Sequence, residues 1–188
     1  MEKDLLLVID MQNVYGKGGA WECPGSLQAA EKIKELISSE EANLEVIFTR
    51  FLAPERPEGT WGDYNREYAA INNDLQANEM MGVFREELKK YPLYSKSVYS
   101  SLSIPEVRDA AKRAGRVLLS GVVAECCVLF TAVPLIDEGI KVIYLKDAVA
   151  GIDEDTEKAV ETVLSGLAPL QVVLETTDEY KRERQAGS

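Results

Sequence analysis

This sequence predicts an α/β fold: a doubly wound, Rossmann-like, mainly parallel sheet of about six strands with helices on both faces. Three observations carry that expectation. Short apolar, β-branched runs recur along the whole chain: LLLVID, LEVIFTR, RVLLSGV, KVIYLKDAV and LQVVLET. They read as near-continuous hydrophobic stretches rather than alternating ones, as strands buried on both faces do. Segments of helical period separate them, and right-handed crossovers then lead to a doubly wound topology.

The elements follow in order. Residues 5–10 are the first strand, ending in an acid. After the Gly/Pro-marked loop YGKGGAWECPGS, residues 26–39 place Leu27, Ala30, Ile33, Leu36 and Ile37 on one helical face. Residues 44–50 form the second strand. The irregular region 51–65, marked by Pro and Gly, exceeds a simple connection and is a candidate functional loop. Residues 80–90 read as an amphipathic helix, and 93–101 (LYSKSVYSS) as a short polar and aromatic segment. Pro105 opens a helix running to Ala114, before the strand at 116–122. A helix at 126–138 stops at Gly139, and 141–149 is the next strand. Residues 153–167 carry Ala159, Val160, Val163, Leu164 and Leu167 on one face, and 170–176 closes the series. The charged tail from about residue 180 is expected to fray. One domain spanning residues 1–188 is expected, without linkers or repeats.

Composition excludes some partners. A net charge of −11 disfavours nucleic acid and anionic membrane surfaces, since both require clustered Lys and Arg. No apolar run approaches the ~20 residues of a spanning helix, and LLLVI is too short for an export signal. Three cysteines do not suggest a disulfide framework, so a reducing, cytoplasmic setting is expected.

Doubly wound sheets place their sites at the carboxyl ends of the strands. Asp10, Lys96 and the Cys126–Cys127 pair fall at such ends or just beyond them. Each has a plain alternative: a loop-anchoring carboxylate, a solvated lysine, a small core residue at a helix start. Together they suit cysteine chemistry. The thiolate is the reactive form. The start of the 126–138 helix, the Lys96 ammonium and a carboxylate proton acceptor would each favour it. The chain has no histidine, so an Asp–Lys pair would divide the work of an imidazole.

Three motifs in this order resemble those of the isochorismatase-like cysteine hydrolase superfamily, which includes nicotinamidases and N-carbamoylsarcosine amidohydrolases. LLLVIDMQN resembles the first-strand motif and KSVYSS the Lys-x-x-Tyr-Ser segment. GVVAECCVLFTA resembles the signature, with Gly121 six positions before Cys127 and Thr131-Ala132 after it. The resemblance implies a catalytic triad of Asp10, Lys96 and Cys127 and leaves Cys126 as packing. It also implies a cis peptide between Val122 and Val123, with the Val123 and Cys127 backbone N–H groups forming an oxyanion hole. The implied activity is hydrolysis of a C–N bond in a small amide or ureido substrate through a thioester. A catalytically silent binding relative, or isochorismatase-type hydrolysis of a non-amide, are the alternatives.

The departures are informative. Nicotinamidases hold a metal through an Asp-x-His segment and a further His, and zero histidines leave no such site, so no metal or cofactor is expected. Ala124 stands where the family usually has Thr or Ser. For the substrate pocket the sequence suggests Gln12, Arg50, Phe51, Trp61 and Tyr99, with Arg50 suited to gripping a carboxylate. The 51–65 loop is a plausible seam of a homo-oligomer, a dimer or tetramer. A receiver-type phosphoacceptor using Asp10, Ser120 and Lys146 is a rival reading, weakened because no paired acid follows the first strand.

Overall fold

The computed structural model describes residues 3–41 and 43–186. Its core is a six-stranded sheet in the order β3-β2-β1-β4-β5-β6, built from β1 (Asp4–Ile9), β2 (Leu44–Phe51), β3 (Leu93–Lys96), β4 (Val117–Val122), β5 (Val142–Ala150) and β6 (Val172–Glu175). Every pairing is parallel. β1 and β4 are the two central strands, and the direction in which successive strands are added to the sheet reverses between them, which makes the crevice beyond their carboxyl ends the expected binding site.

The apolar strands fill both faces by alternation. Leu5, Leu7 and Ile9 of β1 pack in one hydrophobic cluster, and Leu6 and Val8 in the other. On the first face lie α5 (Pro105–Arg113), α6 (Leu129–Asp137) and α7 (Glu154–Ser165), contributing Val107, Leu135, Val160 and Leu164. On the second lie α1 (Ser26–Glu40) and α8 (Thr177–Ala186), contributing Ile33, Leu36 and Tyr180. Leu27 and Val163 belong to the predicted apolar faces of α1 and α7 but are exposed, because the sheet covers a narrower stripe than the helical period offers.

Two segments depart from expectation. Residues 80–90 are not one helix but two single 3₁₀ turns, Gly82–Phe84 and Glu87–Lys89. Tertiary pairing captures the chain just before them: the Met81 N–H donates to the Met11 carbonyl at 2.8 Å, and Gln12 and Met80 form an antiparallel bridge. Phe84 is then fully buried against Phe48, with ring centroids 5.4 Å apart. The tail from about residue 180 does not fray. It is α8, seated by the Tyr180 hydroxyl, which donates to Asp4 Oδ2 at 2.9 Å, and by Arg116, which pairs with Glu183 at 2.6 Å. Gly187 and Ser188 lie outside the described residues.

The long region after β2 folds into three short helices, α2 (Trp61–Glu67), α3 (Ala69–Asn72) and α4 (Leu75–Asn78). α6 does not begin at residue 126. A wider π-helical turn, Ala124–Val128, precedes it and carries both vicinal cysteines. Among the described residues no helix is long and apolar enough to cross a membrane.

Candidate active site

The site starts where β1 ends. Asp10 is fully buried and adopts φ 51°, a left-handed conformation uncommon outside glycine that turns the chain out of the sheet. Neighbouring β4 accommodates this with Gly121, at φ 103°, where a Cβ would lie 2.0 Å from the Ile9 carbonyl oxygen. Any side chain at 121 would push β4 away from the end of β1. The peptide that follows, between Val122 and Val123, is cis.

Asp10 meets its partners from three other elements. Lys96, the last residue of β3, donates to Asp10 Oδ2 at 2.6 Å, and both side chains are completely buried. Thr49 of β2 donates to Asp10 Oδ1 at 2.9 Å. The Cys127 thiol, in the π-helical turn, lies close enough to the Asp10 carboxylate and the Lys96 ammonium for both to act on its proton affinity. Residues 86 and 31 positions apart in sequence thus converge because parallel strands deliver their carboxyl ends to one rim.

A chain of hydroxyls supports them from behind. The Thr49 and Ser101 hydroxyls lie 3.4 Å apart, the Ser101 N–H donates to Thr131 Oγ1 at 2.9 Å, and Thr131 Oγ1 donates to the Cys127 carbonyl at 2.7 Å. Thr49 and Ser101 were not singled out from sequence. Nothing in their local pattern distinguishes them from other strand and turn hydroxyls.

The charges are unlike those expected of a resting thiolate. Burial pushes the Cys127 thiol well above its ordinary range, and the Asp10 carboxylate adds to this more than Lys96 offsets it. Burial alone would lower Lys96, but its partners, Asp10 foremost, outweigh that and leave it raised. Both directions favour a neutral thiol beside the Asp10–Lys96 ion pair.

Cys127 forms the floor of a cavity of about 370 Å³. Tyr15, Trp21, Tyr64, Tyr68, Phe51 and Tyr99 wall it, and Val123, Cys23, Cys126, Glu22, Glu125 and Ile152 are further lining residues. The rings interlock: Trp21 packs edge-on to Tyr68 at 5.4 Å, Tyr64 lies 4.9 Å from Tyr68, and Phe51 lies 6.0 Å from Tyr64. Phe51, Tyr99 and Val123 are among the residues that line the cavity. The Cys126 and Val128 amides both donate to the Val123 carbonyl, at 3.1 and 3.2 Å, and neither bond occupies the Val123 or Cys127 N–H.

Other expectations need correction. Gln12 does not line the cavity. It is buried behind it, donating to the Phe51 carbonyl at 3.0 Å and accepting from the Phe51 N–H at 2.8 Å, so it positions the strand end. Trp61 stands one layer back, 6.0 Å from Phe51 and 5.2 Å from Tyr99. Arg50 is not at the cavity either. Strand alternation turns it to the face opposite Thr49 and Phe51, where its Nε donates to Ser95 Oγ at 2.9 Å. Cys126, read from sequence as packing, is half-buried and lines the cavity, because the wider π-helical turn brings it round beside Cys127. Tyr64, in the 51–65 region that the sequence offers as an aromatic wall with Phe51 and Trp61, lines the cavity, whereas Tyr15, Trp21 and Tyr68 were not assigned to the pocket from sequence.

The residues of the receiver-type rival do not assemble. Lys146 reaches Glu179 at 4.0 Å, and Ser120 Oγ donates to the Leu7 carbonyl at 3.1 Å. Among the described residues no group of three or more Cys, Asp or Glu is arranged to hold a metal ion, and with no histidine in the chain the nicotinamidase donor set has no counterpart.

Comparison with known proteins agrees with this architecture. No curated protein matches the chain. Among solved structures, an isochorismatase-like hydrolase from Alkaliphilus metalliredigens superposes with a TM-score of 0.80 at 18% identity, covering 96% of this chain and 98% of its own. A cysteine hydrolase from Pseudomonas syringae pv. phaseolicola gives 0.82 at 19%, covering 99% and 94%. N-carbamoylsarcosine amidase from Thermoplasma acidophilum gives 0.70 at 21%, covering 94% and 97%. At these identities the likeness establishes the fold. The family itself is established by the Isochorismatase domain model, which matches residues 4–179, nearly the whole described chain: the protein belongs to the isochorismatase family.

Proposed function

We propose that this chain is a single-domain, cysteine-dependent hydrolase that cleaves the C–N bond of a small amide or ureido substrate. One observation carries the reading: a buried Asp10–Lys96 ion pair acting on the Cys127 thiol, which itself lines a cavity. A buried ion pair is expensive to assemble. Placing one against a thiol, beneath a cavity wide enough for a small molecule, suits nucleophilic chemistry.

The mechanism follows from the resting protonation. As the Cys127 sulfur attacks the carbonyl carbon, its proton passes to Asp10, so negative charge moves onto the substrate oxygen while Lys96 stays cationic. The Val123 and Cys127 amides are the donors for that oxygen. The C–N bond breaks as Asp10 returns the proton to the leaving nitrogen, releasing an amine or ammonia and leaving a thioester. Water then gives a proton to Asp10 and attacks the thioester. The carboxylic acid departs, and the sulfur recovers its proton from Asp10. Because the thiol is neutral at rest, the attack needs no standing thiolate. Small molecules, rather than a nucleic acid or membrane surface, are the expected partners, in keeping with the net charge of −11.

The test is intact-mass trapping during turnover of a panel of small amides and ureido acids. A mass increment on Cys127 is expected. Cys127→Ala should lose turnover by about 10³-fold or more, and Cys126→Ala should retain it within a few-fold. Turnover lost in the Cys126 variant and kept in the Cys127 variant would overturn the assignment.

A further inference from the structure

Resting on the hydrolase reading above, we propose that Glu125 determines specificity by accepting a hydrogen bond from an N–H or ammonium group at the far end of the substrate, and that the site rejects carboxylate-bearing substrates. The argument begins with an unfilled acceptor. Glu125 lines the cavity, and its Oε2, packed inward against Gly151, has no hydrogen-bond partner among the described residues, so a substrate donor meets it once the carboxylate turns toward the cavity. A buried, unpaired carboxylate oxygen costs free energy that folding alone gives no reason to retain.

The surroundings are built to leave it unpaired. Gly151 lies against it, and a Cβ there would sit 2.9 Å from Glu125 Oε2 and 3.0 Å from Glu157 Cγ. The Gly151 N–H is given to Glu157 Oε1, at 2.8 Å. On the cavity side the Glu125 charge is felt by Cys23 and Cys126, whose thiols are weak donors.

The rest of the cavity agrees in sign. None of its lining residues is cationic, Arg50 being turned to the other face, and Glu22 is a second acid there. Aromatic faces supply most of the wall, and such faces attract cations and N–H groups and give nothing to an anion. A carboxylate on the substrate would meet Glu125 with no counter-charge. The expectation from sequence that a carboxylate is gripped by Arg50 is thereby reversed.

The experiment uses the full chain carrying Cys127→Ala, so that binding is read without turnover, and four single-ring probes differing at one position. These are 4-aminobenzamide (neutral N–H), 4-(aminomethyl)benzamide (ammonium), 4-methylbenzamide (no donor) and 4-carbamoylbenzoate (carboxylate). Calorimetry is expected to show at least one donor probe binding about tenfold more tightly than the methyl probe, and the carboxylate probe weakest of all. Which donor probe leads decides between a neutral N–H and an ammonium source. Adding Glu125→Gln should shrink both the donor preference and the carboxylate penalty to within a few-fold while the methyl probe binds as before. Should that variant fail to fold, the four-probe ranking on the Cys127→Ala chain stands as the test. Carboxylate binding equal to or tighter than the others, no distinction between donor and methyl probes, or no probe binding at all would overturn the proposal. Donor-selective binding by a chain whose unmutated form hydrolyses no amide would instead sink the hydrolase reading and leave this inference standing.

Discussion

β1 carries a buried carboxylate at each end, and the two ends differ in what surrounds them. At its start, Asp4 accepts from the Tyr180 hydroxyl at 2.9 Å and pairs with Arg116 at 3.0 Å and Arg184 at 3.5 Å. At its finish, Asp10 has Lys96, Thr49 and a thiol, with a cavity beyond. The first carboxylate is saturated by two guanidinium groups and a hydroxyl on elements it holds together. The second shares its charge with a group that can give up a proton. Burial and ion pairing are therefore no mark of a reactive site; an exchangeable proton facing open space is what sets the two ends apart.

This contrast can be broken experimentally. The largest effect is expected at the finish: Asp10→Asn removes the proton acceptor and should lower the amide hydrolysis rate by about 10³-fold, the size usual for losing a general base. Rates are to be measured per folded molecule, because the variant also leaves Lys96 buried without its charge partner. If Asp10→Asn hydrolysed at the parent rate, the functional half of the comparison would fail.

Asp4→Asn should do the reverse. Breaking a buried, multiply bonded ion pair costs about 3–5 kcal/mol, read by urea denaturation, while kcat/KM of the folded fraction stays at the parent value. An equal loss of activity there would show that the two ends are coupled rather than independent.

A smaller effect sharpens the structural end. Glu175, on the last strand beneath α8, is pushed up to about 7 by burial and by nearby Glu183, against an ordinary value of 4.5. Because the folded value lies above the unfolded one, this proton favours the folded state fully below pH 4.5. That contribution is lost as pH rises through 7. Glu175→Gln should therefore leave stability unchanged near pH 4 and raise it by about 1–2 kcal/mol at pH 8, compared by denaturation at the two pH values. A parallel pH dependence in both chains would assign the carboxyl a different environment.

Much of this architecture was legible before any coordinates. The apolar runs placed five of the six strands to within a residue or two at most boundaries, since a strand buried on both faces needs little context to be recognised. Helices with caps or proline starts, such as the one opening at Pro105, were equally clear. Residues 80–90 misled because their helical period is real while backbone pairing to Met11 and Asn13 takes the chain just before them. The tail misled for the opposite reason: it looks solvated, yet one ring, Tyr180, is fully buried and seats the helix. At the site, Asp10, Lys96 and Cys127 stood out by residue type and motif. Arg50 was drawn to the cavity by its charge, and a register of one residue turns it away.

What the sequence by itself determined was periodic and local: where strands and helices run, that no histidine is available, and which acid, lysine and thiol terminate or follow the strands. Folding in three dimensions decided which of those groups meet, which aromatic rings close over them, that burial pushes the Cys127 thiol up, and that Glu125 Oε2 finds no partner among the described residues. The reason is physical. Backbone periodicity depends on neighbours a few residues away, whereas proton affinity and recognition depend on desolvation and charge contributed by residues dozens of positions apart.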